Sequence, residues 1–293
     1  MAVAEPAIGW QRSAPPRIRR KLSDTAVGRV SNADRVAILG LVAVTAVCIA
    51  APWIAPHSPT IPVGRPFIPP HHNGFVLGTD EVGRDVFSRV LYGIRSSWFS
   101  ALIVIASGVI IGGLIGLVAG AYGGWIDSAL MRVTDLFLAL PGPILAIAVV
   151  AALGPSLQHT LIAVAIVWWP FYARIVRGEV RALAARPHVE AARLAGSSRI
   201  RVMRRHLMPG AVPATIVTAS LDVGNLVLTL AALSFLGLGA PAPAPELGAM
   251  AARGLPYLLE EWWIPVWPGI ALFLLALVAN LAGDGLRDLI GDR

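Results

Sequence analysis

"EAARLAGSSRIRVMRRHLMP", residues 190–209, sets a short polar, basic segment between two stretches that are each apolar enough to cross a bilayer. It begins with Glu190, Ala191 and Ala192 and places Gly196 four residues later. It then gathers five arginines between Arg193 and Arg205 before reaching Pro209. Pro187 suits a first helical turn, and Glu190 stands where a carboxylate favours a helix N-terminus. The pattern predicts a helix over 187–200. Ala191 and Ala192 keep its surface flat, so that another backbone can come close, and Gly196 weakens or ends it. Beyond Gly196, the i, i+3, i+4 spacing of Arg201, Arg204 and Arg205 puts them on one face. A basic loop that merely fixes topology through anionic lipid accounts for the arginines. It does not account for Glu-Ala-Ala and a spaced glycine.

The chain around this segment is unusually apolar. Of its 293 residues 56% are hydrophobic and 14% charged, against about 25% charged in soluble domains. Its mean hydropathy is +0.70, and one soluble core could not hide that much apolar surface, so the bilayer is the natural solvent. The net charge of +7 sits in the gaps between apolar runs, a topology signal rather than a nucleic-acid surface. The single Cys48 rules out an internal disulfide and a cysteine-based metal cluster.

Residues 1–33 lack apolar periodicity and are expected to form a disordered cytosolic tail. Six spans of roughly 20 residues follow, at about 35–55, 97–121, 131–153, 157–176, 211–236 and 264–282. The expected organisation is a first transmembrane helix over 34–55, an extracytoplasmic loop over 56–96, and a core over 97–293 that contains a cytosolic loop at about 177–210. Asp34 is a candidate N-cap for the first span, with Pro56 helping to end it. In the second span Gly112, Gly116 and Gly120 recur every four residues, a smooth stripe that lets a neighbouring helix approach closely. In the third, Pro141 and Pro143 predict a kink or break. With the N-terminus inside, 19 of the 24 basic residues fall in inside segments and 5 outside, so both termini are expected in the cytosol.

Several other residues carry weight. Asp222, with Asn225 near it, lies within the fifth span; an acid at that depth lines a wet path or bonds another helix, and both readings stand. Asp135 reads as interfacial. Thr79, Asp80, Arg84 and Asp85 read as a local structural clamp. His57, His71 and His72 read as solvated loop residues rather than metal ligands. Trp262, Trp263 and Trp267 read as an interfacial belt. No catalytic, metal or cofactor residues stand out. A P-loop ATPase needs a lysine in its glycine-rich loop, and the only lysine, Lys21, lies in the tail outside any such loop.

Residues 190–209 resemble the EAA motif of ABC-importer membrane subunits: Glu190, Ala191, Ala192 and Gly196 match, and the segment ends His206-Leu207-Met208-Pro209, with Met208 where an Ile or Leu is usual. "LGTDEVGRDVFSRVLYG" (77–93), "LSFLGLGAPAPAPELGAM" (233–250) and "NLAGDGLRD" (280–288) resemble the C-type permease subunits of dipeptide, oligopeptide and nickel importers. The four segments, in order, extend the resemblance over about 34–293. It implies an all-α, polytopic inner-membrane protein of six transmembrane helices with the type I ABC importer permease fold, and no enzymatic chemistry of its own. It also implies a homologous B-type permease partner, two cytosolic ATP-binding subunits and an extracytoplasmic substrate-binding protein. In that reading Glu190, Ala191, Ala192 and Gly196 couple the permease to an ATPase, peptides are the favoured cargo, and nickel or another small solute remains open. An ion-coupled secondary transporter is the alternative from another class; Asp222 and the Pro141/Pro143 break are the features that lean toward it.

Overall fold

The structure is a computed structural model, and it describes residues 32–291, with side chains described over 39–287. The tail expected over 1–33 lies almost wholly outside the described residues. The helices are α1 (Asn32–Ile54), α2 (Val86–Tyr122), α3 (Gly124–Leu138), α4 (Gly142–Leu153), α5 (Leu157–Ala184), α6 (Pro187–Leu194), α7 (Arg199–Val202), α8 (Met208–Phe235), α9 (Leu247–Gly254) and α10 (Trp263–Gly291). Met203–Leu207 forms a π-helical turn joining α7 to α8. No strand occurs among the described residues, only isolated bridges at His72–Phe75 and Thr79–Asp85.

Four helical segments are long and apolar enough to cross a membrane: α2, α5, the rod from Arg199 to Phe235, and α10. The pair α3 and α4, bent by 82° between them, makes up to a fifth if it counts as one broken span, and Leu39–Ile54 of α1 is a shorter apolar stretch, so the described residues give four or five full-length spans where six were expected. The break expected in the third span is therefore present. It falls at Pro141, which precedes α4 as its N-cap and leaves Pro143 in the first turn, where a missing N–H costs nothing. Asp34 lies inside α1 rather than at its cap. Helix α2 starts at Val86, well before position 97, because the Asp85 carboxylate accepts from the backbone N–H groups of Phe87 and Ser88 and caps it.

The centre of the bundle is the seam between α2 and α5. Gly108, Gly112, Gly116 and Gly120 all face α5, which extends the stripe seen in the sequence by one turn. A methyl group on Gly112 would come within 2.9 Å of the Ala173 nitrogen, one on Gly116 within 2.9 Å of the Arg177 nitrogen, and one on Gly120 within 2.8 Å of Val180. Backbone thus rests on backbone, and dispersion contacts replace the hydrophobic drive that lipid does not supply. Around this seam Trp98, Val104, Val150, Val164, Leu226 and Val227 form the main core. A second cluster at one end joins Leu117, Val180 and Leu183 to Val189, Val202 and Leu207. A third, at the opposite end, joins Val86, Val90, Leu247, Met250 and Trp263.

Gly116→Val should lower the thermal unfolding midpoint of the detergent-purified protein strongly, because its Cβ meets α5 backbone; overpacking of this kind costs about 1–3 kcal/mol or more. Gly113→Ala, one position off the seam with nothing within 4 Å, should leave the midpoint within error.

Candidate functional site

The segment 187–207 lies at the arginine-rich end of the bundle. Helix α6 is shorter than the predicted 187–200: it stops at Leu194, and Gly196 adopts φ +81°. There the Gly196 N–H donates to the Arg193 carbonyl and the Ser197 N–H to the Ala192 carbonyl. This 5→2, 6→1 pair is the Schellman termination that favours glycine at the left-handed position. A fresh start follows at Ser198, whose hydroxyl accepts from the Arg201 N–H. The predicted single helix is therefore two short ones at an angle, and Gly196 is the corner.

Val189 fixes α6 to the bundle. It is fully buried with Val180, Leu183, Val202 and Leu207, and the neighbouring His188 ring lies 6.0 Å from that of His206. Glu190 and Ala191 are exposed and Ala192 is half-buried. Gly196 is exposed too, and a methyl group placed on it would meet nothing within 4 Å. Leu194 stands 84% exposed, an apolar knob beside the alanines. Arg201, Arg204 and Arg205 are all exposed. Helix α6 is thus pinned through one valine and open on its opposite side. The sequence reading missed Val189, which only the burial of its flanking helices reveals.

Just above this end, three acid–base contacts tie α3 to α5. Asp127, 3% exposed, accepts from Arg177 and Arg181, the latter at 2.5 Å. Asp135 pairs with Arg174 at 2.7 Å with both side chains half exposed, which agrees with an interfacial position. Because α5 runs on into α6 after two residues, these contacts set where α6 is held.

At mid-bundle, Asp222 of α8 meets α5. One of its oxygens, Oδ2, accepts from the Trp168 indole N–H and, at 3.1 Å, from the Tyr172 hydroxyl. Asn225 stands 3.4 Å from the other oxygen. A recess lined by Val167, Trp168, Phe171, Asp222 and Asn225 opens beside them. Asp222 therefore bonds a neighbouring helix, and it also borders an open recess. Trp168 and Tyr172 carry no signal in the sequence, where they read as ordinary span aromatics.

The opposite end is held by a buried polar node. Arg84 donates to Asp80 at 2.7 Å and to Glu81 at 3.1 Å. Arg89, 1% exposed, reaches the carbonyls of Pro59 and Pro243. Thr79 bridges the Arg65 carbonyl and the Ile68 N–H. The structural-clamp reading of this stretch agrees with these contacts. Two expectations need correction. His57 is not a free loop histidine, because its Nδ1 lies 3.3 Å from the capping carboxylate of Asp85; His71 and His72 are exposed. Trp263 is not a belt residue but a buried one, 6% exposed, whose indole donates to the Thr79 carbonyl. Only Trp262 keeps substantial exposure.

In the loop between α8 and α9 the buried Glu246 carboxylate accepts from the Ser234 hydroxyl and, at 2.7 Å, from the Ala240 N–H. Burial pushes its pKa up, against the downward pull of those two hydrogen bonds and of nearby Arg253.

A bundle of apolar helices with one tethered, outward-facing helix at its basic end defines a multi-pass membrane permease. The chain belongs to the family of binding-protein-dependent transport system inner membrane components, whose profile matches residues 112–293. It is 44% identical over 243 residues to the probable D,D-dipeptide transport system permease protein of Escherichia coli K12, covering 83% of this chain and 81% of that one. It is 42% identical over 245 residues to the di/tripeptide transport system permease protein of Pseudomonas aeruginosa UCBPP-PA14, covering 81% and 80%. Among solved structures, an inward-facing form of the MetNI methionine ABC transporter superposes with a TM-score of 0.55 at 20% identity, over 70% of this chain and 97% of that one. At that identity the match speaks for the fold alone. These findings agree with the resemblance drawn from the four sequence segments.

A raised carboxyl stabilises the fold most below its ordinary value of 4.5 and less as pH climbs through the higher folded value, where the buried group must ionise. Glu246→Gln should flatten that decline, since its amide can serve both Ser234 and Ala240. Glu246→Ala should instead cost about 1–3 kcal/mol at neutral pH by leaving the Ala240 N–H unpaired. Thermal melts from pH 4 to about 8 for the three proteins are the check.

Proposed function

We propose that this chain is one membrane-spanning half of an ATP-driven importer of di- or oligopeptides. It works with a homologous B-type permease, two cytosolic ATP-binding subunits and an extracytoplasmic binding protein that delivers the cargo. The named activities of its relatives support the peptide cargo. The observation that carries the reading is the build of α6: Val189 locked in the bundle, Glu190 and Ala191 turned outward, and the chain folded back at Gly196. Such a helix transmits force. ATP drawing two ATPases together displaces α6, and α6 moves the bundle through Val189, the seam and the α3–α5 ion pairs. The permease then alternates between two states biased by nucleotide.

In this reading the arginine-rich end faces the cytosol, in keeping with the positive-inside count. Glu190 accepts a charge-assisted hydrogen bond from a basic group in the ATPase cleft, Ala191 and Ala192 allow close approach, and Gly196 forms the corner. Asp222 and Asn225 border the route of the cargo.

The test is the assembled importer in proteoliposomes, with dipeptide uptake and dipeptide-stimulated ATP hydrolysis measured together. Glu190→Lys should reduce stimulation by about tenfold or more, the worth of a shielded charge-assisted bond. Gly196→Asp should be worse than Gly196→Ala. A left-handed backbone strains alanine at least as much as aspartate, so the excess defect reports charge at the docked surface. Normal coupling in both Glu190→Lys and Gly196→Asp removes α6 from the coupling role. For orientation, Ser58→Cys and Ser197→Cys in a Cys48→Ala background should be labelled from opposite sides of the membrane, Ser58→Cys from outside.

A further inference from the structure

Helix α8 carries a row of polar residues along one face. Thr218, Asp222, Asn225 and Thr229 follow one another at spacings of four, three and four, the period that keeps side chains aligned on a helix. None of the four is buried. The row runs for about 16 Å at 1.5 Å per residue, and Asp222 lies about 20 Å from either end of α8. It therefore sits at the depth of a bilayer's midplane.

The hydrogen bonds within the row leave it with a definite chemical character. The Thr218 hydroxyl donates to the Ala214 carbonyl and the Thr229 hydroxyl to the Asn225 carbonyl. Their protons are used, and their outward oxygens remain acceptors. The Asn225 amide nitrogen leans toward Asp222, which leaves its own carbonyl oxygen open. Asp222 holds α5 with Oδ2, has the Asn225 amide beside Oδ1, and lines the recess. Among the described residues no cationic side chain pairs with it. The row is thus a line of acceptors around one carboxylate without a cationic partner, and at Asp222 and Asn225 it is flanked by the aromatic rings of Trp168 and Phe171.

A carboxylate turned to hydrocarbon at this depth costs several kcal/mol, so this face is not a lipid face. What the recess fits is a donor-rich cation: the Asp222 carboxylate supplies the charge, the Asn225 carbonyl oxygen a further acceptor, and the faces of Trp168 and Phe171 favour an ammonium group. They repel a carboxylate or phosphate. We propose that the Asp222 recess takes the α-ammonium terminus of the passing peptide, so that this subunit itself selects for a free N-terminus in addition to the binding protein. This rests on the peptide-import reading and adds to it a named subsite. Trp168 and Tyr172 are positioning residues, since they hold Oδ2 and so fix the carboxylate at the wall of the recess.

The experiment uses the permease pair with both ATPases in nanodiscs, without the binding protein, so that selection by the permease is seen alone. Saturation-transfer NMR is recorded with L-alanyl-L-alanine and with its N-acetyl derivative. In the wild type the free dipeptide should receive roughly tenfold more transfer than the acetylated one, as expected for a charge-assisted bond. Asp222→Asn keeps an acceptor for Trp168 and Tyr172 but removes the charge, and should bring the two probes level. Asn225→Asp adds a charge beside the recess and should widen the gap. Equal or absent signals in the wild type, or an unchanged ratio in Asp222→Asn, overturn the subsite. If Asp222→Asn separates the subunits, as it would were a partner's cation seated there, the ratio in Asn225→Asp decides, and no change overturns it. Binding-protein-dependent dialanine uptake by the wild type is measured alongside. Its absence defeats the peptide-import reading, whereas uptake with an unchanged ratio defeats only the subsite.

Discussion

The approach of α2 to α5 is the constraint on which the rest of the molecule depends. Four glycines let the two backbones touch from Gly108 to Gly120, and this fixes α5 in both position and rotation. One side of α5 then presents Trp168 and Tyr172 to α8, where they meet Asp222. Further along, Arg174, Arg177 and Arg181 reach the acids of α3. At its end, Val180 and Leu183 receive Val189 of α6. A bulky residue anywhere in the glycine row would displace all three of these consequences together.

Polar groups in this chain are spent sparingly and in sets. Each set joins elements that apolar packing alone would leave free to slide: Asp80, Arg84 and Arg89 at one end, Asp222 with two aromatic donors at mid-depth, and Asp127 with two arginines at the other end. In hydrocarbon an unsatisfied polar group is expensive, so such sets define one register between helices where many apolar registers are nearly equal in energy. They also lie in order along the bundle, from the Asp80 end to the end that carries α6.

Much of this is legible in the sequence for identifiable reasons. Spans announce themselves by length and hydropathy, and the glycine stripe by its spacing of four. Pro141 announces the break, and the Glu-Ala-Ala and Gly pattern locates the exposed helix. What the sequence cannot show is which distant residue completes each set. Nothing near Asp222 in the chain points to Trp168, and nothing near Asp127 points to Arg177, because fifty or so residues separate partners that only the seam brings together. Sequence reasoning puts the end of α6 too late because Arg199 onward has good helical propensity. The left-handed turn at Gly196 outweighs propensity there by satisfying two carbonyls at once. It misjudges Trp263 because tryptophans near a span end usually sit at the interface, and only the fold brings the Thr79 carbonyl to that indole.

The wide turn at Met203–Leu207 has a geometric consequence for the whole of α8. A π turn holds about one residue more than the α turn it replaces, so everything after it is rotated by about 100° about the helix axis. The rod from Arg199 to Phe235 is therefore indexed: the azimuth of residues 218–229 relative to the basic end is set by that one surplus residue. A π turn one residue earlier or later would leave the far part of the rod where it is and turn only the residue between the two positions, so the place of the surplus residue, and not only its presence, sets which faces of α8 line up.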